Sequence, residues 1–341
     1  MEILVAPDKF RGTLSAAAAA DAISVTLEAA GHTVRRLPLA DGGEGTLEVL
    51  GGANRTTVVD GPLGDPVEAP WRLSRRTAVI EMALASGLAL VGGSEHNDPV
   101  AASTYGTGEL IAAAAEAGAR RIVVGVGGSA TTDGGLGALR AMLPLHRFRR
   151  VDMSVACDVS IGFVAAATVF APQKGATPAQ VALLERRLER LVQVYDEEYG
   201  VAVDELEGAG AAGGLAGGLA CAGARLVSGF ELVAEHLELD AAIEHADLVI
   251  TGEGHLDEES FDGKVVGGVA ALAASFGTPA AAVVGDRDDL DADLLGSLDV
   301  ISLVECCGRD RAVGDTVAAV AEAVEVLMAR AGGQSPDGAD G

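Results

Sequence analysis

The sequence predicts an α/β protein built as two α/β domains, and three observations carry that prediction. Buried-strand signatures alternate with Ala-rich helical stretches at the start of the chain. The same alternation returns near its end, around residues 247–251 and 280–284. Between the two lie shorter β-like runs separated by glycine turns. The chain ends therefore read as one discontinuous domain with a parallel sheet of Rossmann or flavodoxin type, residues 1–57 plus 244–330. Residues 58–243 read as an inserted α/β domain, and 331–341 as a polar, glycine-rich, disordered tail. A cleft between the domains is the expected site.

The elements follow in order. Residues 3–6 form a buried strand, and 7–13 a loop. Ser15 caps an Ala-rich helix that ends near Gly31. Residues 33–38 make a second strand, and 41–46 open a second helix. Short strands at 58–59 and 67–71 flank the turn Gly61-Pro62-Leu63-Gly64, and 77–81 is another strand. A helix over 106–118 precedes the buried strand 121–126, a glycine turn and a helix over 135–142. Strand 151–156 ends at Cys157-Asp158. In the charged segment 178–199, Leu184, Leu188, Leu191 and Tyr195 recur at helical spacing. Residues 208–218 are a glycine–alanine loop leading into a helix. Strand 247–251, helix 265–276, strand 280–284 and helix 315–330 complete the chain.

Composition bounds the function. With 49% hydrophobic residues in 341, a large core is available and global disorder is excluded. Aromatics are 3%, so that core is made of Ala, Val, Leu and Ile. No apolar run reaches membrane-span length and no signal peptide is read, so the cytoplasm is expected. Four cysteines form no CxxC pair and six histidines no zinc spacing. A net charge of −26 repels nucleic acid and anionic membranes. It repels phosphates and carboxylates too, so a site for either needs local cations. Only three lysines, Lys9, Lys174 and Lys264, stand among 24 basic residues. They lie near turn glycines, where a compact ammonium suits a phosphate as a point charge.

Several motifs point to phosphoryl chemistry. No GxxxxGK[ST] is present, nor the protein-kinase HRD and DFG set. Residues 125–135, GVGGSATTDGG, follow a strand and precede a helix. There the amides of Gly127 and Gly128, the hydroxyls of Ser129 and Thr131, and Asp133 make a candidate anion cradle. Asp8, Asp41, Glu44 and Asp158 each lie just after a strand, where parallel sheets bind ligands. Such carboxylates can hold Mg²⁺ or accept a substrate proton. Glu253 and Asp257 follow a later strand, and Lys264 opens the next helix. Lys174 sits in the turn Gln173-Lys174-Gly175.

Taken together, these segments resemble the bacterial glycerate kinase family of the glyoxylate and glucarate pathways. The matching runs include APD8KFRGTLS, LAD41GGE44GT, GPLG at 61–64, IE81MA and ST104YGTGELI. They continue with the 125–135 loop, ACD158V, FAPQK174GA, GAGAAGG at 208–214, TGE253G, Asp257 and Gly263-Lys264. They span residues 3 to about 285 in family order. The resemblance implies two α/β domains, ATP and Mg²⁺ as cofactors, and transfer of the γ-phosphoryl group to a hydroxyl of glycerate. It implies Asp8, Arg11, Asp41 and Lys264 as catalytic candidates. Gly127, Gly128, Ser129, Thr131, Asp133 and Lys174 would bind nucleotide or phosphate. Lys9, Glu44, Thr104 and Asp158 would bind substrate, and Asp158, Glu253 and Asp257 the metal. The partners expected are a small-molecule substrate, no nucleic acid and no membrane, with homo-oligomerisation left open.

Three departures from the family stand out. Arg11 replaces its usual lysine. After Gly137 the family carries a longer stretch, some tens of residues, before its Cys-Asp-Val motif, where here only residues 143–155 intervene. Ser160-Ile161-Gly162-Phe163 replaces an Asn-Pro-Leu segment. A kinase for another small hydroxy acid or polyol, and a non-catalytic nucleotide-binding protein, are the alternatives these departures raise.

Overall fold

The computed structural model describes residues 1–157 and 160–331. The chain divides into two units, Met1–Asp41 with the chain from Phe230 onward, and Gly42–Gly229. Among the described residues eleven strands form two sheets. They are β1 (Glu2–Val5), β2 (Thr33–Arg36), β3 (Arg55–Asp60), β4 (Pro66–Ser74), β5 (Thr77–Glu81), β6 (Arg121–Gly125), β7 (Asp152–Cys157), β8 (Arg225–Ser228), β9 (Leu248–Leu256), β10 (Ala280–Arg287) and β11 (Asp299–Ser302).

Unit one holds a five-stranded, all-parallel sheet in the order β11-β10-β9-β1-β2. Helices cover a parallel sheet on both faces, so its strands read as continuous apolar runs. Ile3, Leu4 and Val5 are buried in this way. Ser15, extended at φ −68°, accepts from the Ala18 amide and starts the helix Ala16–Ala29. That helix buries Ala19, Ala20, Ile23 and Leu27 on one face. They pack with Ile250, Val283, Ile301 and Leu327 into the core of the unit.

Unit two holds a six-stranded mixed sheet in the order β3-β4-β5-β6-β7-β8. The β3-β4 and β4-β5 pairs are antiparallel, and β5 to β8 run parallel. Its core joins Trp71, Ile80, Leu110, Val124, Met142, Val155 and Leu215. The helix Pro178–Tyr199 starts in a capping box of Thr177 and Gln180 and stops at Gly200, φ 67°. Its buried face, Leu184, Leu188 and Tyr195, belongs to a second cluster with Phe163 and Leu139.

Four differences from the sequence reading are physical. First, the division falls at 41/42 and 229/230, not at 57/58 and 243/244. Residues 42–57 belong to unit two because Glu81 of β5 accepts the Gly45 and Leu47 amides at 3.1 and 2.6 Å. Second, β9 continues through Glu253 to Leu256, paired with β10 as far as Arg287. Gly252 and Gly254 make this continuation practicable. A Cβ at Gly254 would meet the Arg11 amide nitrogen at 2.8 Å, and one at Gly252 would overlap the Val283 carbonyl. Third, β8 and β11 are strands of four residues with polar or charged ends, too short for their alternation to register. Fourth, the helix Ala211–Cys221 begins within the 208–218 segment read as a loop, with Ala212, Gly213 and Gly214 left-handed inside it. The tail from residue 332, and Asp158, lie outside the described residues.

Candidate active site residues

In unit one, the β1–β9 ladder extends past Val5. The Ala6 amide donates to the Ile250 carbonyl and the Asp8 amide to the Gly252 carbonyl, both at 2.8 Å. Asp8 thereby stands at the carboxyl end of the sheet beside the strand that carries Glu253. Lys9 Nζ lies 3.8 Å from Asp8 Oδ2 and 3.6 Å from Asp41 Oδ1, so one ammonium bridges two buried carboxylates. Burial raises the Asp8 pKa from 3.8 to about 7; Lys9 opposes the rise, Asp41 adds to it, and Arg11 opposes it. Arg11 itself is exposed.

Glu253 follows the same logic. Burial raises its pKa from 4.5 to about 7, Ser260 opposes that, and the Asp8 and Asp257 charges add to it. Its Oε1 is buried without a hydrogen-bond partner. Asp257 Oδ1 accepts from the Ser260 amide at 3.0 Å and from its hydroxyl at 3.2 Å, which caps the turn Glu258–Phe261. Lys264 is the N-cap of the helix Val265–Phe276, and its Nζ pairs with Glu259 at 3.0 Å. Unit one thus gathers Asp8 and Lys9 just past β1, Glu253 on the neighbouring β9, and Asp41, which follows the edge strand β2 and pairs with Lys9; the Arg11, Asp257 and Lys264 charges act on Asp8 or Glu253.

In unit two, two glycine loops lie backbone to backbone. A Cβ at Gly127 would meet Gly43 Cα at 2.8 Å, and one at Gly125 would meet the Gly42 carbonyl oxygen at 2.7 Å. Only glycine permits that approach. Gly128, φ 69°, and Ser129 then turn away from β6. Beneath them Lys174 is 3% exposed, and its Nζ donates to Ser129 Oγ at 2.8 Å and to the Thr131 carbonyl at 2.7 Å. Burial lowers its pKa from 10.5 to about 7, and Asp133 opposes the shift. The lysine holds the loop from below rather than standing on its surface.

Asp133 is similarly engaged. It accepts from the Thr104 amide and hydroxyl at 2.9 Å, and from the Gly135 and Gly137 amides at 3.1 and 3.2 Å. The Thr104 hydroxyl also accepts the Ala138 amide at 3.0 Å. Asp133 and Thr104 therefore pin the start of the helix Leu136–Ala141 to that of Tyr105–Glu116. The Thr131 and Thr132 hydroxyls are buried without partners. Glu44 is exposed on the loop that Glu81 holds.

Two positioning residues escaped the sequence reading. Glu81 was visible only as part of the IE81MA motif at a strand end. Asn97, whose Nδ2 donates to the carbonyls of Ala130 and Lys174 at 3.0 and 2.9 Å, sits among polar neighbours and carries no signal.

Comparison with known proteins bears on these groups. A family model described as the glycerate kinase family matches residues 3–143 and 144–332. The chain is 41% identical to a glycerate kinase of Halalkalibacterium halodurans over 83% of this chain and 85% of that one. It is 39% identical to a glycerate 2-kinase of Escherichia coli K12, over 85% and 86%. The crystal structure of a protein described as glycerate kinase 2 from Salmonella typhimurium LT2 superposes with TM-score 0.82 at 35% identity, covering 98% of each chain.

Proposed function

Because the chain belongs to the glycerate kinase family, we propose that it transfers the γ-phosphoryl group of ATP to a hydroxyl of glycerate. The products are phosphoglycerate and ADP. The observation that carries this reading is the buried Asp8, its pKa pushed up to about 7 beside Lys9 and Asp41. A carboxylate with that pKa is matched to general-base work near neutral pH. In the reaction the acceptor oxygen forms its bond to the γ-phosphorus as the bond to the β–γ bridging oxygen breaks. Asp8 takes the hydroxyl proton. Lys9 and Arg11 attract the acceptor's carboxylate, Asp41 keeps Lys9 in place, and Lys264 meets phosphate charge.

The Gly127 and Gly128 amides and the Ser129 hydroxyl are the groups we assign to the nucleotide phosphates. Lys174, Thr131, Asp133 and Thr104 act behind them by fixing the loop, as the distances above support. Glu44, exposed on the neighbouring loop, is assigned to substrate. The donor set also fits Mg²⁺: Glu253 Oε1 is buried and unpartnered, and the carboxylates of Asp8 and Asp257 raise its pKa. Among the described residues no group of three or more metal-ligating side chains is present. Mg²⁺ needs no such cage, since it commonly takes one or two carboxylates plus substrate phosphates and water. Glu253 would hold it, with Asp257 adjacent, and the ion would neutralise phosphate charge.

The name of the E. coli relative favours the 2-hydroxyl. Among the described residues no helix is long and apolar enough to cross a membrane. The test is ADP release with D-glycerate, followed by direct conversion of the product by enolase, which accepts the 2-phosphate and not the 3-phosphate. Turnover no greater than that of Asp8→Asn would reject the reading.

A further inference from the structure

Unit two has a second charged edge, at the opposite ends of its parallel strands from the glycine loops. The residues at the starts of β5, β6, β7 and β8 are Arg75-Arg76, Arg120-Arg121, Arg149-Arg150 and Arg225. These starts are aligned: Thr77 pairs with Arg121, Arg121 with Asp152, and Ser154 with Arg225. The Arg76 carbonyl accepts from the amides of both Arg120 and Arg121. Neighbouring strands stand about 4.8 Å apart, so these guanidinium groups share one edge. All seven arginines are exposed. In a chain of net charge −26 this is a local inversion of sign. Asp152 pairs with Arg121 and Arg225. Among the described residues no ion pair neutralises Arg75, Arg76, Arg120, Arg149 or Arg150. Arg75 and Arg76 also sit left-handed, φ 47° and 68°, where a side chain costs energy that glycine avoids.

A cavity of about 580 Å³ opens on this edge, lined by Arg149, Val151 and Gly223 just before β7 and β8. That volume is in the range of small-molecule sites, about 300–1,000 Å³. Leu145, Phe148 and Tyr199 supply apolar wall. The Arg147 guanidinium lies over the Phe148 ring, 5.4 Å from its centroid. The family match breaks between residues 143 and 144, and both Leu143 and Pro144 line the cavity. The wall is thus formed where this chain departs from its family.

We propose that this cavity is a binding site for a small amphipathic anion. Its apolar body packs on Leu145, Phe148 and Tyr199, and its carboxylate, sulfonate or phosphate head meets Arg149. Glu198, which also lines the cavity, repels the head and so sets the orientation. The cavity shares no lining residue with the phosphoryl-transfer groups and does not rest on the reading of them.

The test uses 1-anilinonaphthalene-8-sulfonate fluorescence, with uncharged N-phenyl-1-naphthylamine as the matched control. The expected result is a single saturable site for the sulfonate. Arg149→Glu, at the surface, weakens it by about tenfold or more, the loss of one charge-assisted contact. Ala222→Phe fills the cavity and abolishes it, whereas Arg149→Lys and Arg309→Glu, the latter in unit one, leave it within about threefold. Circular dichroism checks that each variant is folded; should Ala222→Phe unfold, Arg149→Glu carries the test. Absence of saturable binding, binding indifferent to Arg149→Glu, or equal binding of the uncharged compound overturns the proposal.

Discussion

Replacing Asp133 by alanine separates two roles that its place in a glycine loop leaves open. One carboxylate receives three backbone amides, those of Thr104, Gly135 and Gly137, and the Thr104 hydroxyl. Alanine removes every acceptor at once. An orphaned buried donor costs about 1–3 kcal/mol, so three amides give about 3–9 kcal/mol if none finds water. Asp133 is half-buried, and water entering the vacated volume recovers part of this, which leaves about 3–5 kcal/mol. Against a typical domain stability of about 5–15 kcal/mol that is a large loss. Asn keeps one acceptor oxygen and turns an N–H₂ toward the remaining donors, so Asp133→Asn should lose about half as much. Trp71, the single tryptophan, is buried in the core of unit two and reports that unit's urea transition by fluorescence. Hydrogen exchange of the Gly135 and Gly137 amides gives a local reading, and both should lose protection. A cost below about 1 kcal/mol with unchanged exchange would refute the argument, and would return Asp133 to direct contact with ligand.

Asp8→Asn should lower kcat by about 10²–10⁴ with little change in KM for ATP, as expected for a lost general base. In the wild type, activity should rise with pH through about 7, because the carboxylate form is the base. Its effect on stability has the opposite sign: the fold holds a proton that the unfolded chain releases near 3.8. That contribution is therefore present at low pH and lost as pH rises through about 7, which pH-dependent denaturation would measure. Glu253→Gln should raise half-saturating Mg²⁺ by about tenfold or more, and an unchanged Mg²⁺ dependence would reassign the ion. Gly127→Ala should displace the Gly42–Gly45 loop, because the new methyl meets backbone at 2.8 Å. Nucleotide affinity measured by calorimetry should fall by about tenfold, and unaltered affinity would detach this loop from the phosphates.

The alternation of apolar strands and Ala-rich helices was enough to define an α/β chain with a discontinuous parallel-sheet domain, because strand and helix periods are local properties of the chain. Ser15 as a cap, the helix Pro178–Tyr199 and the glycine run at 125–135 were legible for the same reason, since caps, periodicity and turns act over a few residues. So were the chemical types at the candidate site, carboxylates after strands and lysines near turn glycines, along with the family they resemble. What needed the tertiary structure was the side on which each group acts. Lys174 and Asp133 look alike in sequence as loop residues ready for a phosphate. Folded, one is buried under Ser129 and the other has its oxygens occupied by neighbouring amides. Asp8 and Glu253 are read in sequence as separate acids, each on or just after a strand, 245 positions apart. Parallel pairing of β1 with β9 sets them together in a buried site, and burial, which only the assembled core supplies, moves each pKa to about 7. The same holds for the arginine edge, seven residues scattered over 150 positions that strand register alone brings into line.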